Sequence, residues 1–195
     1  MRVVAGKYKG VSLNEIKSDN IRPTTDKVKE AIFSKIQFDI RDSSFLDLFA
    51  GTGGMGIEAI SRGANPVYFA DNNENSIKLI KSNFAKIKLT NFNLLNMNFI
   101  KALNYFRDNS IKFDFIFLDP PYHENYGEKS IKMILEYNLL NDDGIVIYER
   151  LREKEFEIPE QFEIFDEKNY GTIAVTYLRY KDTCEDVSSD GEDNA

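Results

Sequence analysis

Five short runs rich in apolar and β-branched residues recur along the chain: Phe45 to Phe49, Val67 to Asp71, Asn93 to Met97, Phe113 to Leu118 and Gly144 to Tyr148. Between them lie helix-like segments, about 54 to 63, 74 to 89, 98 to 107 and 127 to 138, with apolar residues three and four apart, as in Ile77, Ile80, Phe84 and Ile87. Strands that alternate with amphipathic helices predict an α/β fold with a mostly parallel sheet. After the fifth run the pattern changes. Phe162 to Phe165 and Thr172 to Arg179 flank Asn169-Tyr170-Gly171 and predict an antiparallel hairpin that ends a seven-stranded sheet.

Ahead of the first run, a Val/Gly/Lys-rich piece (residues 2 to 13) precedes a helix expected to begin near Thr25, capped by Thr24 or Thr25, with Ala31, Ile32 and Ile36 as its apolar face. Residues 1–40 thus read as a small N-terminal hairpin and helix extension that contacts a polyanion, 41–181 as the core, and 182–195 as a disordered acidic tail. A chain of 195 residues with 42% hydrophobic content supports one sizeable core. The start lacks the apolar stretch of a secretion signal and no run is long enough for a membrane span, so a soluble, cytoplasmic protein is expected; a monomer is the working expectation, with no sequence feature behind it. Cys184 and His123 are each the sole residue of their type, which argues against a disulfide and against a metal site.

The net charge of −7 argues against a nucleic-acid partner only until its distribution is seen. Six acidic side chains and no basic one fall after residue 181, leaving a nearly neutral body. Residues 1 to 35 carry eight Lys or Arg against four acids, a local excess that suits phosphates, although an ordinary solvated surface has the same look.

The first run passes through Leu46-Asp47-Leu48-Phe49 into Ala50-Gly51-Thr52-Gly53-Gly54-Met55-Gly56 and straight into a helix. Glycines at such a turn let backbone N–H groups approach a ligand beside a helix N-terminus. The spacing matches neither the nicotinamide-type G-x-G-x-x-G nor a phosphate-binding P-loop. Asp71 ends the second run, where a carboxylate can accept both ribose hydroxyls of an adenosine, and Asp47 is placed to meet an ammonium. An adenosine that carries an amino acid is S-adenosylmethionine. The plainer alternative is that both carboxylates only cap neighbouring helices.

At the end of the fourth run stands Asp119-Pro120-Pro121-Tyr122. Two prolines remove two N–H donors and hold the backbone extended, which leaves carbonyls free to accept. An NH2 group can donate to the Asp119 carboxylate and the Pro120 carbonyl while its lone pair stays available, and Tyr122 can stack on the base that bears it. His123 adjoins the motif, but attack by an amine needs no strong base beforehand, so it is read as a loop residue.

The run Arg22-Pro23-Thr24-Thr25-Asp26-Lys27-Val28-Lys29-Glu30, with Phe49-Ala50-Gly51-Thr52-Gly53, Asp119-Pro120-Pro121-Tyr122, the opening Arg2 to Gly10 and the late Tyr170-Gly171, closely resembles the RsmD family of bacterial 16S rRNA guanine-N2 methyltransferases over residues 1 to 180. The resemblance implies a Rossmann-like class I methyltransferase fold. It also implies methyl transfer from S-adenosylmethionine to N2 of one guanine, position 966 in the usual ribosomal numbering, in 16S rRNA of a partly or fully assembled 30S subunit. By position, Asp47, Phe49, Gly51, Gly53, Asp71, Asn72 and Asn98 would line the cofactor pocket. Asp119 to Tyr122 would hold the guanine, and Lys7, Lys9, Arg22 and Thr24 would contact the RNA. The family usually has Glu where Asp71 stands and Asp where Asn98 stands; an amide oxygen still accepts a hydrogen bond. DNA or other RNA amino-methyltransferases share the Asp-Pro-Pro-Tyr motif, and an rRNA-binding protein with a vestigial pocket is the non-enzymatic alternative.

Overall fold

The computed structural model describes residues 1–15, 26–121 and 124–181. Five parallel strands, β1 (Phe45–Asp47), β2 (Val67–Asp71), β3 (Asn93–Asn96), β4 (Phe113–Leu118) and β5 (Leu140–Leu151), are joined by helices, and β6 (Phe162–Tyr170) and β7 (Ile173–Tyr180) close the sheet as an antiparallel hairpin. The strand order is β3-β2-β1-β4-β5-β7-β6. The chain reverses its direction of travel across the sheet between β1 and β4, and the crevice at such a switch point is where open α/β sheets bind ligands.

Strand residues alternate between two cores. Phe45, Phe115, Phe117, Ile147 and Tyr177 pack under α1 (Asp26–Lys35), α2 (Gly54–Arg62) and α3 (Glu74–Lys86). Leu46, Ile116, Leu118, Val146 and Leu178 pack under α4 (Phe99–Asp108) and α5 (Tyr126–Glu136). Burial on both faces explains why the central strands read as continuous apolar runs.

Two boundaries differ instructively from the sequence expectation. β1 stops at Asp47, because Leu48 and Ala50 already turn to donate to Phe117 and Ala70 carbonyls as the glycine loop begins. β6 continues through Asp166-Glu167-Lys168 to Tyr170; as an edge strand it leaves these charges partly exposed, and Asp166 and Glu167 are paired with Lys35 and Arg150. The turn therefore sits at Gly171-Thr172, with Gly171 at φ +66°.

Residues 1–15 fold back on themselves, Val3 N–H to Val11 O and Leu13 N–H to Met1 O, and bury Val3 and Leu13. The segment is fastened to α2 by Glu58. One oxygen of this buried carboxylate accepts Val4 N–H at 2.8 Å, and the other accepts Ala5 N–H at 3.0 Å and Arg62 Nε at 2.8 Å. Lys29 of α1, equally buried, stands 3.5 Å from Glu58 and donates to the Arg2 carbonyl. Both side chains lie inside the core, where ions persist only when paired and hydrogen-bonded.

Candidate active site

The glycine loop joins β1 to α2 at the C-terminal edge of the sheet. Gly53 precedes α2 at φ 74°, a left-handed conformation that favours glycine. Gly56, one turn into the helix, lets α2 lie against β2: a Cβ there would stand 2.2 Å from the Phe69 ring.

Carboxylates hold this loop from two sides. Asp71 Oδ2 accepts Gly51 N–H at 2.8 Å and its Oδ1 accepts Asn73 N–H at 2.7 Å. Asp47 Oδ2 accepts Gly56 N–H at 2.9 Å. Burial pushes the Asp47 carboxyl up to about 7; the Gly56 N–H opposes that rise, and the nearby charge of Asp71 adds to it. Asn83, buried on α3, donates to Thr52 O and Asn14 O and accepts Asn14 N–H, so it ties the loop to the N-terminal segment.

Around this loop, Phe49 packs on Phe99 with ring centroids 5.5 Å apart, and Phe99 on Tyr126 at 4.9 Å. Asn72 is exposed beside Asp71, and exposed Asn98 caps α4 by accepting Lys101 N–H at 2.9 Å. Asp47, Phe49, Gly51, Gly53, Asp71 and Asn72 all lie on the first two strand-to-helix connections or the strand ends that feed them, and Asn98 follows β3.

Asp119, half-buried, directly follows β4. Its carboxyl is held well above the usual carboxylate range, first by burial, then by the charge of Glu149, then by that of Asp47. Buried Pro120 and exposed Pro121 continue from it and border a cleft with Glu124, Tyr148, Glu149, Arg150, Leu151 and Lys154. Arg150 shapes the far wall: its guanidinium donates to the carbonyls of Leu151, Arg152 and Lys154 and to Glu167 at 2.7 Å.

Lys7 and Lys9 are exposed on the N-terminal turn, where Lys7 N–H reaches Ser61 O near the C-terminal end of α2. The seven residue steps from Gly54 to Ser61 put that turn about 10 Å along the helix from the glycine loop. Arg22, Thr24 and Tyr122, with His123, the acidic tail and the proposed Thr24 or Thr25 cap, lie outside the described residues.

Sequence reasoning missed Glu149, Glu58, Lys29 and Asn83. Glu149 alone left a signal: a carboxylate directly after Ile145-Val146-Ile147-Tyr148, in a strand that must be buried on both faces. Among the described residues no group of His, Cys, Asp and Glu is arranged to hold a metal ion, and no helix is long and apolar enough to cross a membrane.

The sheet order, the glycine loop and the carboxylates at its C-terminal edge define the class, an α/β protein with the Rossmann-like class I methyltransferase fold. The structure titled "Putative methyltransferase yhhF from Escherichia coli" superposes with a TM-score of 0.81 at 25% identity, covering 93% of this chain and 98% of that one. A family profile described as "Conserved hypothetical protein 95" matches residues 1–179. A Bacillus subtilis protein named "Putative rRNA methyltransferase YlbH" is 41% identical over 161 residues, 82% of this chain and 86% of its own length. The "Ribosomal RNA small subunit methyltransferase D" of Haemophilus influenzae is 32% identical over 179 residues, 89% of this chain and 91% of its own. The chain belongs to that family, the RsmD family.

Proposed function

We propose that this protein transfers a methyl group from S-adenosylmethionine to the exocyclic N2 of one guanine, the position-966 type, in 16S rRNA of a partly or fully assembled 30S subunit. One observation carries the chemistry: Asp119 follows β4 directly, one strand from the Gly51–Gly56 loop, as a shielded carboxyl bordered by two prolines. The rRNA acceptor rests on the names of the two relatives, and N2 of guanine rests on the family resemblance.

The residues present fit S-adenosylmethionine. Asp47 is a buried carboxyl whose ionisation a bound ammonium would favour, and Asp71, already holding the loop, keeps lone pairs for ribose hydroxyls. Gly51 and Gly53 would let the backbone come close, and Phe49, Asn72 and Asn98 would border the adenine side. When bound, the cofactor supplies an electrophilic methyl group on a sulfonium. Asp119 and the Pro120 carbonyl accept the two hydrogens of the guanine amine and leave its lone pair directed at the methyl carbon, and the motif assigns Tyr122 to stack on the base. Asp119 also stabilises the positive charge that grows on nitrogen. Lys7, Lys9, Arg22 and Thr24 are assigned to the RNA, with the protein acting as a soluble, cytoplasmic monomer. No metal has a part in this chemistry.

The test supplies labelled S-adenosylmethionine to the protein with 30S particles that lack the modification, naked 16S rRNA and DNA. Label on N2 of a single guanine in 30S particles or rRNA is expected, reduced roughly a hundredfold or more by Asp119→Ala. Label in DNA alone would overturn the ribosomal reading, and no label in any substrate would favour a vestigial pocket.

A further inference from the structure

Glu149 is a fully buried carboxylate to which the chemistry above gives no task. β4 and β5 run parallel with Phe117 beside Ile147 and Leu118 beside Tyr148. One more step in that register sets Asp119 beside Glu149. Phe117 and Ile147 belong to the core under α1, α2 and α3, so by strand alternation Asp119 and Glu149 leave the sheet on that same side. Asp47, in register with Phe117, leaves it there too. Asp119 and Glu149 thus stand level on β4 and β5, with Asp47 on the same face of β1 two residues earlier in the register, and Glu149 also borders the cleft of Pro120 and Pro121.

After burial, Glu149 is the group that raises Asp119 most, followed by Asp47, and the Asp119 charge is also felt by Tyr148. Tyr148, with Glu128 of α5 near it, and Arg150, held by Thr176 and Glu167 of the hairpin, point to the other side of the sheet. From the helix side, Lys29 and Glu58 are paired with each other. Across the cleft, Lys154 donates to the Glu124 carbonyl and to Asn125 Oδ1.

We propose that Glu149 is a positioning residue for methyl transfer, forming with Asp119 a pair of carboxylates that becomes a carboxyl–carboxylate pair when Asp119 receives the proton leaving the methylated nitrogen. This rests on the reading of Asp119 as the group that holds the amine. The nitrogen lone pair forms the new N–C bond, the electrons of the donor's S–C bond stay on sulfur, and the N–H proton passes to the Asp119 carboxylate. The products are a neutral methylamino group and a protonated Asp119. A second carboxylate one strand away raises the proton affinity of Asp119 and makes that transfer more favourable, in line with the upward displacement of Asp119 by Glu149. Two carboxyl groups that interact so closely titrate in steps that belong to the pair.

The experiment labels aspartate and glutamate carboxyl carbons with 13C and follows their NMR titration in ligand-free protein, as wild type, Glu149→Gln, Glu149→Asp and Asp119→Asn. Glu149→Gln is expected to lower the Asp119 midpoint by about one pH unit or more, Glu149→Asp to hold it near wild type, and Asp119→Asn to lower the Glu149 midpoint in return. With 30S particles as substrate, the acidic limb of kcat/KM should move down in Glu149→Gln by the same shift, with kcat about tenfold lower and KM for RNA within about twofold. An Asp119 midpoint and acidic limb unchanged in Glu149→Gln would overturn the pair. Should that variant fail to fold, an unchanged Glu149 midpoint in Asp119→Asn would do the same. A coupled titration in a wild-type protein that methylates no RNA would overturn the functional reading, and with it the role of Glu149, while leaving the pair itself demonstrated.

Discussion

The carboxylate of Asp71, at the end of β2, accepts the backbone N–H of Gly51, at the mouth of the neighbouring strand, at 2.8 Å. A residue expected to hold a ribose thus also holds the loop that would cradle the rest of the cofactor. Asp71→Ala removes both roles, and a hydrogen bond to a charged group is worth about 1.5 to 3 kcal/mol. Calorimetric affinity for S-adenosylmethionine should fall roughly ten- to a hundredfold, with Asp71→Asn falling less. An unchanged affinity would take Asp71 out of the pocket.

If Asp47 meets the ammonium of the cofactor, binding depends on pH. Its carboxyl, raised to about 7 by burial, keeps its proton in slightly acidic solution. A bound ammonium favours the carboxylate, so binding below pH 7 releases a proton, and affinity should climb with pH until about 7 and then level. In the unliganded protein the sign for stability is the opposite. The unfolded chain ionises Asp47 near its ordinary value, so between about pH 4 and 7 this group subtracts from folding stability as pH rises. Calorimetry in buffers of different ionisation enthalpy reads the released proton, and Asp47→Asn should abolish its contribution.

Glu58 fastens the N-terminal segment to α2 and neutralises Lys29 within the core. Burial lowers the proton affinity of Lys29 and the charge of Glu58 restores part of it, so Glu58→Ala leaves an ammonium with its main support gone. The expected loss is about 3 to 5 kcal/mol in urea unfolding. A loss below about 1 kcal/mol, the range of exposed ion pairs, would show that the pair is not buried in solution.

Gly56→Ala sets two effects against each other. Alanine favours a helix by about 1 kcal/mol, but the added methyl would lie 2.2 Å from the ring of Phe69, itself fully buried and unable to yield. Overpacking costs about 1 to 3 kcal/mol, and a clash this close belongs at the upper end. Net destabilisation of about 2 kcal/mol is the expected outcome in thermal unfolding. A rise in Tm would mean that α2 can shift off β2.

Lys7 and Lys9 stand exposed on a turn fixed to the end of α2, and residues 1 to 35 carry the chain's basic excess. If both lysines meet phosphates, Lys7→Ala with Lys9→Ala should weaken RNA binding and make the slope of log affinity against log salt shallower by about 1 to 2. Cofactor affinity should not change. An unaltered slope would remove this turn from the RNA-contacting surface.

The amino-acid sequence by itself determined the alternation of strands and helices, the glycine loop between β1 and α2, and the placing of Asp119-Pro120-Pro121 after β4. These are written in local terms, side-chain periodicity, turn chemistry and proline stereochemistry, so Val67–Asp71 and Phe113–Leu118 are legible within a few residues of chain. Tertiary structure alone decided which of those pieces meet. Glu149 lies 30 residues beyond Asp119, and only the placing of β5 beside β4 makes it the neighbour of that carboxyl. Glu58 carries no mark in its own stretch of sequence; its role comes from the N-terminal segment that lies over it with two N–H groups, and from Lys29. The physical reason is common to both: a buried charge is set by partners distant in the chain, and no local pattern records which partners the fold will bring.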